Sequence, residues 1–137
     1  MAYFADLTPY IYTDSDGLEI FNVGWLDEGN EFRVGKASRG FQTALQELCE
    51  YPIVLHRGLH CCCYCYGKAG REKRQGKPIA RGNGQIRVLG ANGRWYAAPT
   101  LVYHYVVDHG YLPPEEFIDA VLNGLAVGVE PNRFRRR

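Results

Sequence analysis

The sequence predicts a small single domain of the α+β class, with a β-hairpin or short sheet, about three helices and a zinc-knuckle-like loop. Its 137 residues suit one domain, and the hydrophobic share of 46% is enough to build a core. Strand and helix patterns are both present, but they do not alternate as in βαβ repeats. We place this domain at residues 1–130, followed by a basic C-terminal tail at 131–137.

The first half of the chain carries patterns for a strand, a helix and a second strand. Residues 18–26 are rich in β-forming side chains and predict a strand. Ser38 can cap a helix that runs to about Glu50, because apolar residues recur there at helical spacing. Pro52 ends this helix, and the short apolar run at 53–55 predicts a strand.

A hairpin follows a long polar loop in the second half. Residues 67–84 contain six basic side chains and few apolar ones, so we expect a loop whose basic part, 68–81, is exposed. Residues 85–89 alternate with period two and are followed by Asn92-Gly93 and a second β-forming run. Asn-Gly between two such runs is a strong hairpin signal, because both residues tolerate positive φ.

Two helices complete the predicted domain. Pro99 suits the first turn of a helix that extends to about His109, and Gly110 ends it. Pro113-Pro114 opens a further helix whose first turn is acidic, as the helix dipole favours.

The cysteines point to a metal site. Four of the five lie between positions 61 and 65, too close together for a framework of unstrained disulfides. His60, Cys62 and Cys65 form His-x-Cys-x-x-Cys, a spacing that can place two thiolates about 2.3 Å from one Zn²⁺ with an imidazole nearby. The alternative is that these are buried thiols in ordinary packing or labile thiols.

A structural zinc site needs a fourth ligand from elsewhere in the chain. We call the cysteine-rich segment at 60–65 the knuckle. His104 is the first choice, because it lies on the helix after the hairpin and can face the knuckle. His109 is the second, but it lies about 140° from His104 around a helix, so the two are not expected to share an ion.

Four further residues stay open as substitutes for the fourth ligand. Strand alternation favours a core position for two of them, Cys61 and Cys63. The four substitutes are Cys49, Cys61, Cys63 and His56.

Known catalytic motifs do not fit this cluster. Zinc deaminases carry His-x-Glu, but position 62 here is Cys. A redox Cys-x-x-Cys usually starts a helix, and no helix is predicted before Gly67. We also find no nucleophile elbow, phosphate-binding loop or paired carboxylates, so an enzyme is not favoured.

Charge is strongly segregated along the chain. Residues 1–56 carry nine acidic and three basic side chains, whereas 57–97 carry nine basic and one acidic. Such a basic stretch with nearby aromatics can bind nucleic acid, but a solvated loop is the commoner explanation. The N-terminus has no basic, apolar leader and no stretch long enough to span a membrane, so a soluble cytoplasmic protein is expected.

Several short motifs are spread along the chain. They include Met1-Ala2-Tyr3-Phe4-Ala5-Asp6-Leu7-Thr8-Pro9-Tyr10, Arg57-Gly58-Leu59-His60, Cys62-x-x-Cys65, His104-Tyr105-Val106 and His109-Gly110-Tyr111. Together these motifs resemble a family of small uncharacterised bacterial proteins. The resemblance runs from residue 1 to about 125, but loop 68–81 and the extra cysteines depart from the family pattern. It implies a domain of unknown function and supports a ligand set that includes His-x-Cys-x-x-Cys and the helix histidines.

Three functions follow, in order of preference. The first is a non-enzymatic module that binds a protein partner and is stabilised by structural zinc on His60, Cys62, Cys65 and His104. The second is a nucleic-acid-binding zinc module that uses loop 68–81 and the tail. The third is a zinc hydrolase, which requires an open coordination position.

Overall fold

The computed structural model describes residues 3–10, 19–50, 52, 54–66, 81–123 and 126–127. Of strand residues 54–60, 81, 83 and 126–127, and of Tyr66, only the backbone is described. The predicted basic loop, apart from residue 81, and the predicted tail at 131–137 lie outside these residues.

A mixed five-stranded sheet forms the centre of the fold, in agreement with the predicted α+β class. The strand order is β1-β4-β3-β2, with β1 parallel to β4 and the other neighbours antiparallel. The short β5 pairs with the C-terminal end of β3, on the edge whose other end β2 occupies. The strands are β1 (Ile20–Asn22), β2 (Val54–Cys61), β3 (Arg81–Leu89), β4 (Trp95–Pro99) and β5 (Ala126–Val127).

Four helices are present in the described residues, one more than predicted. Ser38 caps the first, since its Oγ accepts a hydrogen bond from the Phe41 N–H at 3.2 Å, as predicted. The longest helix in the described ranges has 12 residues, and no helix there could span a membrane. The helices are α1 (Arg39–Glu50), α2 (Cys63–Tyr66), α3 (Val102–His109) and α4 (Glu115–Asn123).

Three local predictions need correction. The strand predicted at 18–26 is only three residues long, because Gly24 turns the chain with φ +77°. The loop predicted to extend to residue 84 ends earlier, since β3 already begins at Arg81. Pro99 closes β4 instead of opening α3, because it still pairs in register with Gln85.

The alternation of β3 and β4 divides the core between the two faces of the sheet. Ile86 and Val88 face the larger core, together with buried side chains of α1, α3 and α4. On the opposite face, Trp25 and Trp95 form a smaller core with residues of the N-terminal segment. Cys62 is buried within the larger core, so the knuckle and the helices share one interior.

Candidate metal centre

The knuckle is a tight turn between β2 and α2. The strand ends at Cys61, and α2 begins at Cys63, so Cys62 lies at the change of direction. The Cys65 N–H donates to the Cys62 carbonyl oxygen at 3.2 Å. The backbone N–H groups of Tyr64 and Cys65 also donate toward the Cys62 sulfur. This turn therefore brings both thiols of Cys-x-x-Cys to one side.

Helix α3 contributes two histidines to the same place. His104 lies in its first half, and His109 is its last residue. Gly110 then adopts the left-handed conformation at φ 68°, and its N–H bonds to the Tyr105 carbonyl oxygen. The helix therefore ends directly after His109.

The four side chains converge on one point. The Nε2 atom of His109 lies 3.4 Å from the Sγ atoms of both Cys62 and Cys65, and 3.1 Å from the Nε2 atom of His104. The Cys65 Sγ lies 3.3 Å from the His104 Nε2. All four ligand atoms fall within 4.8 Å of one another.

Four of the six separations are close to the edges of a tetrahedron around a metal ion. With Zn–S of about 2.3 Å and Zn–N of about 2.0 Å, a tetrahedron has edges of roughly 3.3 Å between nitrogens and roughly 3.5 Å between nitrogen and sulfur. The observed separations of 3.1 Å and 3.3–3.4 Å lie close to those values.

Hydrogen bonding alone accounts poorly for this arrangement. An imidazole nitrogen has one hydrogen or one lone pair, directed in the plane of the ring. The His109 Nε2 has three polar neighbours at 3.1–3.4 Å, so one directed hydrogen bond serves only one of them. A cation at the centre would interact with all four ligand atoms at once.

The sequence also matches a known family model. Residues 2–122 match the model described as a domain of unknown function, DUF7919. The chain belongs to this family. No curated protein and no solved structure matches it. The description of the DUF7919 family names no activity, so the function of this domain has to be argued from its site.

The two cysteines of the group of four in this DUF7919 domain are buried. Cys62 and Cys65 are 0% and 1% exposed, and the Tyr64 ring packs against the His109 ring at a centroid distance of 5.3 Å. Burial raises the pKa of the Cys62 thiol above its ordinary value. A bound cation has the opposite effect, because a coordinating thiol is deprotonated.

Asp108 adds a contact that the sequence analysis did not foresee. Its Oδ2 lies 3.0 Å from the Nδ1 of His104, the ring nitrogen that faces away from the cluster. The signal was available, because His104 and Asp108 are four positions apart on one helix and therefore neighbours.

The structure brings together three of the four ligands that the sequence predicts. Cys62, Cys65 and His104 come together, and His109 joins them although its helical angle argued against it. His109 ends α3, and an imidazole ring is long enough to turn back toward the knuckle. The side chain of His60 lies outside the described residues, as does that of the substitute His56.

The remaining cysteines lie apart from the group of four. The core position predicted for Cys61 is wrong, since it is exposed, and Cys63 is only half-buried. Strand alternation stops at Cys61, where the chain turns into α2, so it no longer assigns a face. The prediction of no helix before Gly67 is also wrong, because the single turn α2 spans Cys63–Tyr66. Cys49 is half-buried near the backbone of Tyr103.

Proposed function

We propose that this DUF7919 domain is a non-enzymatic binding module in which Cys62, Cys65, His104 and His109 hold one structural Zn²⁺. The convergence of four ligand atoms within 4.8 Å of one another is the observation that carries the proposal. Compared with the set expected from sequence, His109 takes the place of His60.

The donor chemistry suits zinc. Two thiolates and two neutral imidazoles form a common structural Zn²⁺ set. The two thiolate charges balance the charge of the ion, so the complex is neutral. A neutral complex suits a buried site, because burial of an unbalanced charge is costly.

The number of ligands favours a structural role over hydrolysis. A catalytic zinc ion keeps one position for water or substrate, whereas a tetrahedral site with four protein ligands is closed. Cys62 and Cys65 are also buried, so the knuckle side of the site is shielded from solvent.

The surroundings of the knuckle favour a protein partner over nucleic acid. The Tyr64 hydroxyl donates to the Asp27 carbonyl oxygen at 3.1 Å, which places an acidic turn beside α2. Glu28 and Glu31 follow in the same segment and would repel phosphates. We therefore propose a basic protein surface as partner, in the cytoplasm, where thiols remain reduced.

Metal analysis of the full chain, purified without chelator, tests the zinc site. We expect about one zinc per chain, lost in Cys62→Ser and Cys65→Ser. Cys61→Ser is the matched control, because Cys61 is exposed and outside the group of four, and it should keep the metal. Absence of metal from the wild-type protein, together with five titratable thiols after unfolding, would exclude the proposal.

Salt dependence separates the two classes of partner. Nucleic-acid binding by loop 68–81 and the tail should weaken steeply as salt rises, because counterions are released from the phosphates. If a single-stranded RNA probe binds in this manner, the nucleic-acid alternative replaces the protein partner. If the probe does not bind even at low salt, that alternative is excluded.

A further inference from the structure

The contact between His104 and Asp108 links the cluster to a carboxylate outside it. The Nε2 of His104 faces the other three ligand atoms, while its Nδ1 lies 3.0 Å from the Asp108 Oδ2. The His104 side chain is 11% exposed and that of Asp108 is 36% exposed. A partly shielded carboxylate therefore contacts one ring nitrogen of His104, while the other ring nitrogen faces the cluster.

Asp108 is unfavourably placed for the helix that carries it. It is the next-to-last residue of α3, where the helix dipole is negative and disfavours an acidic side chain. The neighbouring α4 follows the usual rule, with Glu115 and Glu116 in its first turn. A residue that breaks a local rule is expected where function provides the compensating gain.

We propose that Asp108 is a positioning residue for the metal centre. Its carboxylate accepts the Nδ1–H of His104, which fixes the tautomer whose Nε2 lone pair is free for a metal ion. The same contact holds the ring orientation and makes Nε2 a stronger donor. Asp108 acts through His104, since the group of four contains no carboxylate. This inference rests on the proposed zinc site.

A competition titration of the full chain with Zn²⁺ and a chromophoric chelator tests the role. We expect Asp108→Ala to weaken zinc binding by about 10- to 100-fold, the usual effect of removing a partner of a ligating histidine. Asp119→Ala is the matched control, because Asp119 is an exposed helical residue on α4 that contacts Asn123. Zinc affinity should be unchanged in the control.

A second measurement separates positioning from simple stabilisation of the fold. In excess chelator, Asp108→Ala should melt close to the wild type, because loss of the contact with His104 is offset by removal of an acidic group from the negative helix end. With saturating Co²⁺, it should keep the absorption bands of a tetrahedral site. If the variant lost as much stability without metal as with it, Asp108 would serve the fold, and the inference would be wrong.

The outcomes also separate this inference from the proposed function. If wild-type protein binds no zinc, both fail. If wild-type protein binds one zinc per chain and Asp108→Ala binds it equally tightly, only the role of Asp108 fails.

Discussion

At the scale of single residues, His109 shows that the ring of a residue at a helix end can lie elsewhere than its helical angle predicts. Angular spacing places it about 140° from His104, which argues against a shared ion. The two Nε2 atoms nevertheless lie 3.1 Å apart. The angle fixes only where the Cβ atom leaves the helix, and a rotatable ring on the last residue can still turn toward its neighbour.

The histidine variants test which imidazoles bind the metal. We expect His109→Ala and His104→Ala to lose zinc or bind it much more weakly, because each removes one of four ligands. His60→Ala should retain about one zinc per chain. Elemental analysis with Co²⁺ absorption distinguishes these outcomes. Metal loss in His60→Ala and retention in His109→Ala would restore the ligand set expected from sequence.

Glu116 gives a second prediction at the residue scale. Its Oε1 accepts hydrogen bonds from the Tyr96 hydroxyl at 2.7 Å and from Arg94 at 2.9 Å. The hydrogen bond from Tyr96, followed by that from Arg94, lowers the pKa of Glu116 below its ordinary value of 4.5. The carboxylate therefore stabilises the fold above pH 4.5, and the contribution is lost as pH falls through the lowered pKa.

Glu116→Gln should consequently reduce stability at neutral pH by about 1 kcal/mol, a value that allows for partial solvent exposure of the pair. The difference from wild type should shrink as the pH falls below 4.5 and through the lowered pKa, where the native carboxylate becomes protonated. Urea unfolding at pH 7 and pH 3 measures it. Glu115→Gln is the control on an exposed neighbour, and an equal loss in both variants at pH 7 would contradict the prediction.

At the scale of elements, Gly24 lets the chain that follows β1 pack closely against α3. Its φ of +77° belongs to the left-handed region, and an added Cβ would lie 2.6 Å from the Cγ2 of Val102. Gly24→Ala therefore combines backbone strain with a clash, and we expect a loss of about 2 kcal/mol or more. Thermal or urea unfolding of the variant measures this loss.

Gly40 provides the matched control for this substitution. It lies in α1, and nothing lies within 4 Å of the position that a Cβ would occupy. Gly40→Ala should leave stability unchanged or raise it by about 0.5–1 kcal/mol, because alanine favours the helix. If both variants behaved alike, the tight approach of Gly24 to α3 would not matter for stability.

The elements that the sequence predicts are those with local signals. The Ser38 cap, the Asn92-Gly93 turn and the Gly110 stop each lie within a few residues of the structure they determine, and α1, the hairpin and the end of α3 were predicted from them. The parallel pairing of β1 with β4 joins distant segments, so no local pattern indicates it. Helix α2 is a single turn of cysteines and tyrosines, a composition without a helical signal.

Three of the four residues of the candidate site could be predicted from the sequence. Cys-x-x-Cys is a local motif, so Cys62 and Cys65 could be identified from spacing alone. The partners of the motif depend on how α3 packs against the knuckle, which only the folded chain specifies. His104 followed from its place on that helix, whereas the contribution of His109 depends on the conformation of a helix end.

At the scale of the whole molecule, the proposed metal ion joins two segments that are far apart in sequence. Cys62 and Cys65 follow β2, while His104 and His109 belong to α3, beyond the hairpin. The larger core does not depend on this link alone, since Phe41, Ile86 and Phe117 pack in it without contributing a ligand. We therefore expect the metal-free domain to remain folded, with a loosened knuckle.

Chelation should consequently lower the melting temperature without abolishing cooperative unfolding. Free zinc at 100 times its dissociation constant contributes about 2.7 kcal/mol, which corresponds to roughly 10 °C for a domain of this size. Calorimetry with and without chelator measures the shift. Amide exchange should accelerate mainly at Cys62, in α2 and in α3, because those segments carry the ligands.

The Cys62→Ser variant is the control for this prediction, since a chain without the site has no bound zinc to lose. Its melting temperature should be low and unaffected by chelator. If chelator also left the wild-type melting temperature unchanged, zinc would not stabilise the fold. Complete unfolding by chelator would instead mean that the core is insufficient without the ion, as in zinc fingers. The helices α1, α3 and α4 share one buried interior with the sheet. This shared core favours the intermediate result, in which the metal-free domain stays folded and only the knuckle is loosened.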